Sequence, residues 1–175
     1  MTNNSMLLFR LYLTLILVAL FTGCAGYRLG PVDGSKAGAR SIKVTYFENE
    51  TLEPRLAEHL NHALRKELQQ EGTYTLVTLG DADIILKGEI THYQRSPLSF
   101  QPGDIQTARD YRLAITAKFT AIDTETGKVI SSNSVQGETT LRVNSDLTSS
   151  ERQAGPLMAK HLADKITTAL TEGAW

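Results

Sequence analysis

From Tyr111 to Asp123 the chain alternates so regularly that its local fold has little freedom. Leu113, Ile115, Ala117 and Phe119 take every second position, and Arg112, Thr116, Lys118 and Thr120 lie among the positions between them. Successive side chains of a strand point to opposite faces, so this pattern demands one buried face and one wet face. Ile84, Leu86, Gly88 and Ile90 repeat the pattern against Lys87, Glu89 and Thr91, predicting a strand from Ile84 to about Arg95. Ile42, Val44 and Tyr46 predict a third strand, Tyr74 to Thr78 a short one, and Val129 to Leu141 a largely polar one. Asp123 to Lys128 reads as a hairpin connection in which Gly127 can take positive φ.

Two other segments have helical spacing. Leu52, Leu56, Leu60, Leu64 and Leu68 recur every four residues, predicting an amphipathic helix from Pro54 to Glu71 with Gly72 as its stop. Pro54 fits the first turn, where a missing N–H has no intrahelical partner. Leu157, Met158, Leu162, Ile166, Ala169 and Leu170 form a second stripe between Ser149 and Glu172, with Gly155-Pro156 marking its start or a kink. The expected fold is an α+β two-layer sandwich: a mixed four- to five-stranded sheet with two helices packed on one face. Two helices leave the opposite face, rich in Thr, Lys, Arg, Gln and Glu, uncovered. That face either meets solvent, as antiparallel sheets commonly do, or docks against a polar partner.

The start of the chain carries an address. Arg10 precedes an apolar run from Leu11 to Phe21, interrupted only by Tyr12 and Thr14 and too short for a comfortable membrane span. Phe21-Thr22-Gly23-Cys24 follows, with the small residues a lipoprotein signal peptidase requires before the cysteine it exposes. Residues 1–23 thus read as a signal peptide, Cys24 as the lipidation site, residues 24–40 as a glycine-rich lipidated tether, and residues 41–175 as a single domain. Two or three acyl chains anchor stably where one chain binds only marginally. Ala25, in place of an aspartate that favours inner-membrane retention in lipoprotein sorting, points to the outer membrane. Cys24 is the only cysteine, so once lipidated it leaves the domain no disulfide and its stability rests on its core. The 18 basic and 19 acidic side chains, with Arg10 lost alongside the signal, argue against general nucleic-acid binding.

Catalytic motifs are missing: there is no nucleophile elbow, phosphate loop, EF-hand loop or zinc-protease helix, and the expectation is a non-enzyme without metal or cofactor. His59 and His62 read as a solvated helix flank, and Asp81 and Asp83 as turn residues. Two other features remain. Residues 96–108 form an unusually long strand connection carrying Leu98, Phe100 and Ile105, which either caps an open core edge or contacts a partner. Arg95, Arg109, Arg112, Lys118 and Arg142 either cluster at or near the ends of the last three strands, as a modest cationic patch that binds phosphate groups by charge-assisted hydrogen bonds, or lie scattered over the surface.

Cys24-Ala25-Gly26-Tyr27-Arg28-Leu29, Ser41-Ile42-Lys43-Val44 leading to Phe47-Glu48-Asn49 and Glu53-Pro54, Ala82-Asp83 before a strand ending in Tyr93, Thr126-Gly127-Lys128-Val129, and the closing helix together make a pattern. In this order they resemble the lipopolysaccharide-assembly lipoprotein family, LptE, over nearly the whole mature chain. The resemblance implies an outer-membrane lipoprotein seated in the β-barrel LptD, aiding barrel assembly and delivery of lipopolysaccharide to the outer leaflet. Cys24 maps onto the lipidated position; no lipopolysaccharide contact is carried over residue by residue. Sandwich-type lipoproteins that regulate penicillin-binding proteins, or that serve secretion pores, share the Phe-Glu-Asn opening and the hairpin, and remain the alternatives.

Overall fold

The computed structural model describes residues 40–143 and 146–172. The expected signal peptide, Cys24, the tether up to Ala39 and the tail from Gly173 lie outside the described residues. The elements are β1 (Arg40–Val44), β2 (Glu48–Asn49), α1 (Leu56–Glu71), β3 (Tyr74–Leu76), β4 (Ile84–Gln101), β5 (Asp104–Asp123), β6 (Val129–Arg142) and α2 (Leu147–Glu172). The sheet has six strands, one more than the upper expectation, in the order β3-β1-β4-β5-β6 with β2 also pairing with β4. It is mixed: β1 runs parallel to β3 and β4, and β2 parallel to β4, while β4, β5 and β6 form an antiparallel meander.

β1 and β2 are one line of chain interrupted at Thr45–Phe47. At the break Phe47 turns inward and becomes fully buried. Its ring lies over Gly88, where any Cβ would fall inside 3.0 Å of both the ring and the Lys118 carbonyl. Asn61 of α1, itself buried, holds the break in place. Its Oδ1 accepts from the Phe47 N–H at 3.0 Å and its Nδ2 donates to the Ala57 carbonyl at 2.8 Å. A polar side chain on the buried stripe of a helix is tolerated when its hydrogen bonds are satisfied.

Both helices cover the same face, as expected. Leu56, Leu60, Leu64 and Leu68 of α1 are buried, as are Met158, Leu162, Ile166 and Leu170 of α2. They close over Ile84, Leu86, Ile90, Leu113, Ile115 and Phe119. α2 lies directly over β6 because Gly137 admits it: a Cβ there would sit 2.6 Å from the Leu162 backbone nitrogen. Pro156 stands inside α2, so the Gly155-Pro156 pair marks neither end of the helix. Its missing N–H leaves the Arg152 carbonyl without the usual i−4 partner.

The expected long connection over 96–108 is absent. β4 continues to Gln101 and β5 begins at Asp104, so the two strands form an arm closed by Pro102-Gly103, with Gln101 paired to Asp104. Gly103 takes φ 83°, which a Pro-Gly turn requires of its second central residue. A register shift between Ile90 and His92 inserts one residue into β4. Side-chain direction therefore reverses beyond it: Tyr93 and Arg95 turn to the helix side, although counting in twos from Ile84 places odd-numbered residues on the wet side.

Candidate functional site

The uncovered face of the sheet presents Lys87, Glu89, Arg112, Lys118, Ser132 and Ser134, all exposed or half-buried. Along its centre runs a shallow trough of about 750 Å³ beside Tyr46, which is 62% exposed. Among the described residues no three His, Cys, Asp or Glu side chains converge, and no helix is long and apolar enough to cross a membrane.

The five basic residues expected to bind phosphate do not form one cluster. Arg112, Lys118 and Arg142 share the uncovered face, whereas Arg95 turns to the helix side. Lys118 stands six residues from Arg112, about 20 Å along β5. Each also has an acidic neighbour. Arg95 pairs with Glu151 at 2.5 Å, Arg109 with Asp110 at 3.1 Å and Arg142 with Asp110 at 2.8 Å. Arg112 reaches Glu138 at 4.0 Å, and Lys118 is registered opposite Glu89. Charge counting along the sequence missed these carboxylates, because three of the four acids lie on strands or helices other than their partner's.

Two of these groups fix the arm. On the uncovered side Asp110 accepts from Arg142, from the Ser99 hydroxyl and from Arg109, tying β4, β5 and β6 together. Those donors, Arg142 foremost and then Ser99, hold its carboxyl well below the usual carboxylate range. On the helix side the Tyr93 hydroxyl donates to Glu151 at 3.2 Å and Arg95 donates to the same oxygen. The Arg95 guanidinium lies 6.0 Å from the Tyr111 ring centroid. Burial, and then the Glu151 charge, push the Tyr93 phenol up from its ordinary value. Beyond this base the arm exposes Leu98, Phe100 and Ile105, at 45%, 46% and 86%. The contact residues expected on a loop are thus displayed on a strand ribbon.

Asp83 stands at the entry to β4, but its bonds reach across to β1 instead of being the local ones expected of a turn residue. Asp83 accepts from both the N–H and the hydroxyl of Ser41 at 2.7 Å, and these bonds hold its carboxyl below the ordinary value. Arg40 pairs with Asp123 beside it, placing the entry of the chain at the C-terminal end of β5. The end of α2 lies there too, since Ser131, registered with Ala121 near that end, donates to the Ala169 carbonyl.

With this geometry, the sequence model of a lipopolysaccharide-assembly family, LptE, matches residues 39–170. The chain belongs to the LptE family. Among solved structures, the fold of this LptE-family chain is similar to that of a Xanthomonas campestris protein at 11% identity, with a TM-score of 0.57 over 83% of this chain and 92% of that one. It is likewise similar to a hypothetical protein of Chlamydia trachomatis at 9% identity, with a TM-score of 0.55 over 78% and 98%. Rare lipoprotein B from Shewanella oneidensis aligns at 16% identity with a TM-score of 0.49, over 74% and 94%. No curated protein matches the chain in sequence.

Proposed function

We propose that this LptE-family chain is a lipid-anchored, non-catalytic outer-membrane subunit that seats its uncovered sheet face inside an LptD-like β-barrel. There it supports barrel assembly and passage of lipopolysaccharide to the outer leaflet. The observation that carries the reading is the one-sided sandwich: a continuous polar face is left over once both helices are placed, and the interior of a porin-type barrel is polar and wet. Cys24 carries the acyl chains. The arm tip, with Leu98, Phe100 and Ile105, contacts the partner. The five basic residues meet lipid phosphates one by one rather than as a single patch, Arg112, Lys118 and Arg142 from the uncovered face and Arg95 from the helix side, by exchanging their acidic neighbours for the ligand, which makes binding dependent on salt.

Co-purification from native outer membranes tests the partnership: recovery of a large barrel protein is expected, and recovery of a cell-wall synthase instead would overturn it. Mass spectrometry of the mature amino terminus tests acylation at Cys24. Replacing Arg95, Arg109, Arg112, Lys118 and Arg142 together by Ser tests the phosphate reading. Unchanged lipopolysaccharide affinity and unchanged salt dependence would remove it.

A further inference from the structure

Among the described residues, one stretch of sheet edge beside a cleft has no strand paired to it. β1 and β2 pair with β4 from Ile84 to Ile90, and the last bond of that line runs from the Glu50 N–H to the Ile90 carbonyl at 3.0 Å. β4 continues for eleven residues more, to Gln101. The Leu86 and Ile90 carbonyls both accept bonds from the β1–β2 line, so the helix-facing residues of β4 turn their backbone polar groups toward that edge. After the bulge the helix-facing residues are Tyr93, Arg95 and Pro97, registered with Ile115, Leu113 and Tyr111. Alternation along an antiparallel ladder turns their backbone groups outward as well. Pro97 fits this, because a proline inside a strand is accommodated where its missing N–H faces an unpaired edge.

Along the helix side of the same edge lies a cleft of about 260 Å³. Pro54, Leu56, Tyr93 and Met158 give it apolar walls, and Thr148 and the charged Glu151 and Arg152 also line it. It is smaller than a typical ligand pocket and of a size for one large side chain.

We infer that the β4 edge at Tyr93 and Arg95 receives a short extended strand of a partner polypeptide, continuing the line of β1–β2 and placing one large apolar side chain in the cleft. The occupant follows from chemistry: only an extended backbone presents donors and acceptors at the two-residue repeat of a strand. A second copy pairing antiparallel through Arg95 would set Arg95 against Arg95, and like charges directly opposite are destabilising. This inference names no particular partner and stands apart from the barrel reading.

The test uses the full chain in detergent micelles and hydrogen exchange at the Tyr93 and Arg95 amides, with a blocked heptapeptide of alternating Thr and Val carrying one central Phe. Both amides exchange fast in the free chain and slow on adding the peptide, and a peptide with Ala for Phe binds about tenfold more weakly, as loss of one buried anchor implies. Arg95→Pro removes the second outward N–H and abolishes peptide-induced protection at Tyr93. Thr148→Trp, at an exposed position, fills the cleft without touching the edge and weakens the Phe peptide to the level of the Ala peptide. Protection already present in the free chain at every concentration would mean that a segment of this chain occupies the edge, and protection growing with protein concentration would mean a second copy. Either result overturns the inference, as does peptide binding that leaves both amides unprotected, or no binding at millimolar peptide.

Discussion

Gly88→Ala is the sharpest probe of how the sandwich is held together. Most glycine-to-alanine changes in a strand are neutral or helpful, because a Cβ reduces the freedom of the unfolded chain. Here the added Cβ meets two things at once, the Phe47 ring and the Lys118 backbone carbonyl of the neighbouring strand, both inside 3.0 Å. Neither yields cheaply: Phe47 is fully buried and its N–H is held by Asn61, while Lys118 belongs to the β4–β5 ladder. Overpacking a core costs about 1–3 kcal/mol and occasionally more, and two rigid neighbours put this site near ~3 kcal/mol. For a domain of this size that corresponds to a fall in Tm of roughly 10 °C. Urea unfolding followed by circular dichroism reads the loss as a lower midpoint with an unchanged slope. Phe47→Leu in the Gly88→Ala background relieves the ring clash but not the carbonyl, so the double variant stays less stable than wild type while the coupling reaches about 1 kcal/mol. A Gly88→Ala protein within ~0.5 kcal/mol of wild type, or strict additivity, would refute the packing argument.

Other outcomes follow from the same structure. Asn61→Leu strips the Phe47 N–H of its acceptor and is expected to cost about 1–3 kcal/mol in the same urea assay, more than a leucine on an exposed part of α1. Asp110 has a folded pKa below its unfolded value, so its contribution is present above the ordinary aspartate range near ~3.9 and is lost as pH falls through the folded value. Asp110→Asn should therefore flatten the acid limb of stability against pH below about pH 5. The Tyr93 phenol shifts upward, so its contribution is present below ~10 and is lost as pH rises further; Tyr93→Phe should blunt the alkaline decline, measured by thermal melts between about pH 8 and 11. Pro156→Ala restores an N–H to the interior of α2 and should raise stability by about 1 kcal/mol or more, readable as a higher thermal midpoint.

The regular parts of the fold were legible because their periods were unbroken. The leucine stripe of α1 lies on the buried side with Leu56, Leu60, Leu64 and Leu68, and the alternation over Leu113 to Phe119 faces the helices as it reads. The reading went astray wherever one residue changed the phase or removed a donor. Pro97 and Pro102-Gly103 look like loop chemistry, yet Pro97 faces an edge to which no described strand pairs and Pro102-Gly103 closes a hairpin, so the sequence reads as a connection where the structure has an arm. The extra residue near Thr91 moved Arg95 to the helix side, which dispersed the expected basic group. β2, two residues long, has no period to detect. Strand register sets Glu138 beside Arg112 and Asp110 beside Arg142, and the packing of α2 sets Glu151 beside Arg95, partners far apart in sequence.

The arm also turns the domain into a measure of length. β5 has 20 residues in one strand, about 65 Å at the usual rise per residue. A bilayer with its headgroups is about 40–45 Å thick. Arg40, where the chain enters, is paired with Asp123 at one end of that strand, and the Pro102-Gly103 turn closes the other. With the lipid anchor proposed above at the Arg40 end, an upright domain would hold Phe100, registered with Ala108 fifteen residues from Asp123, about 50 Å from that end. Shortening the arm by a matched pair of residues from each strand would then change how far the protein reaches while leaving its core and its uncovered face intact.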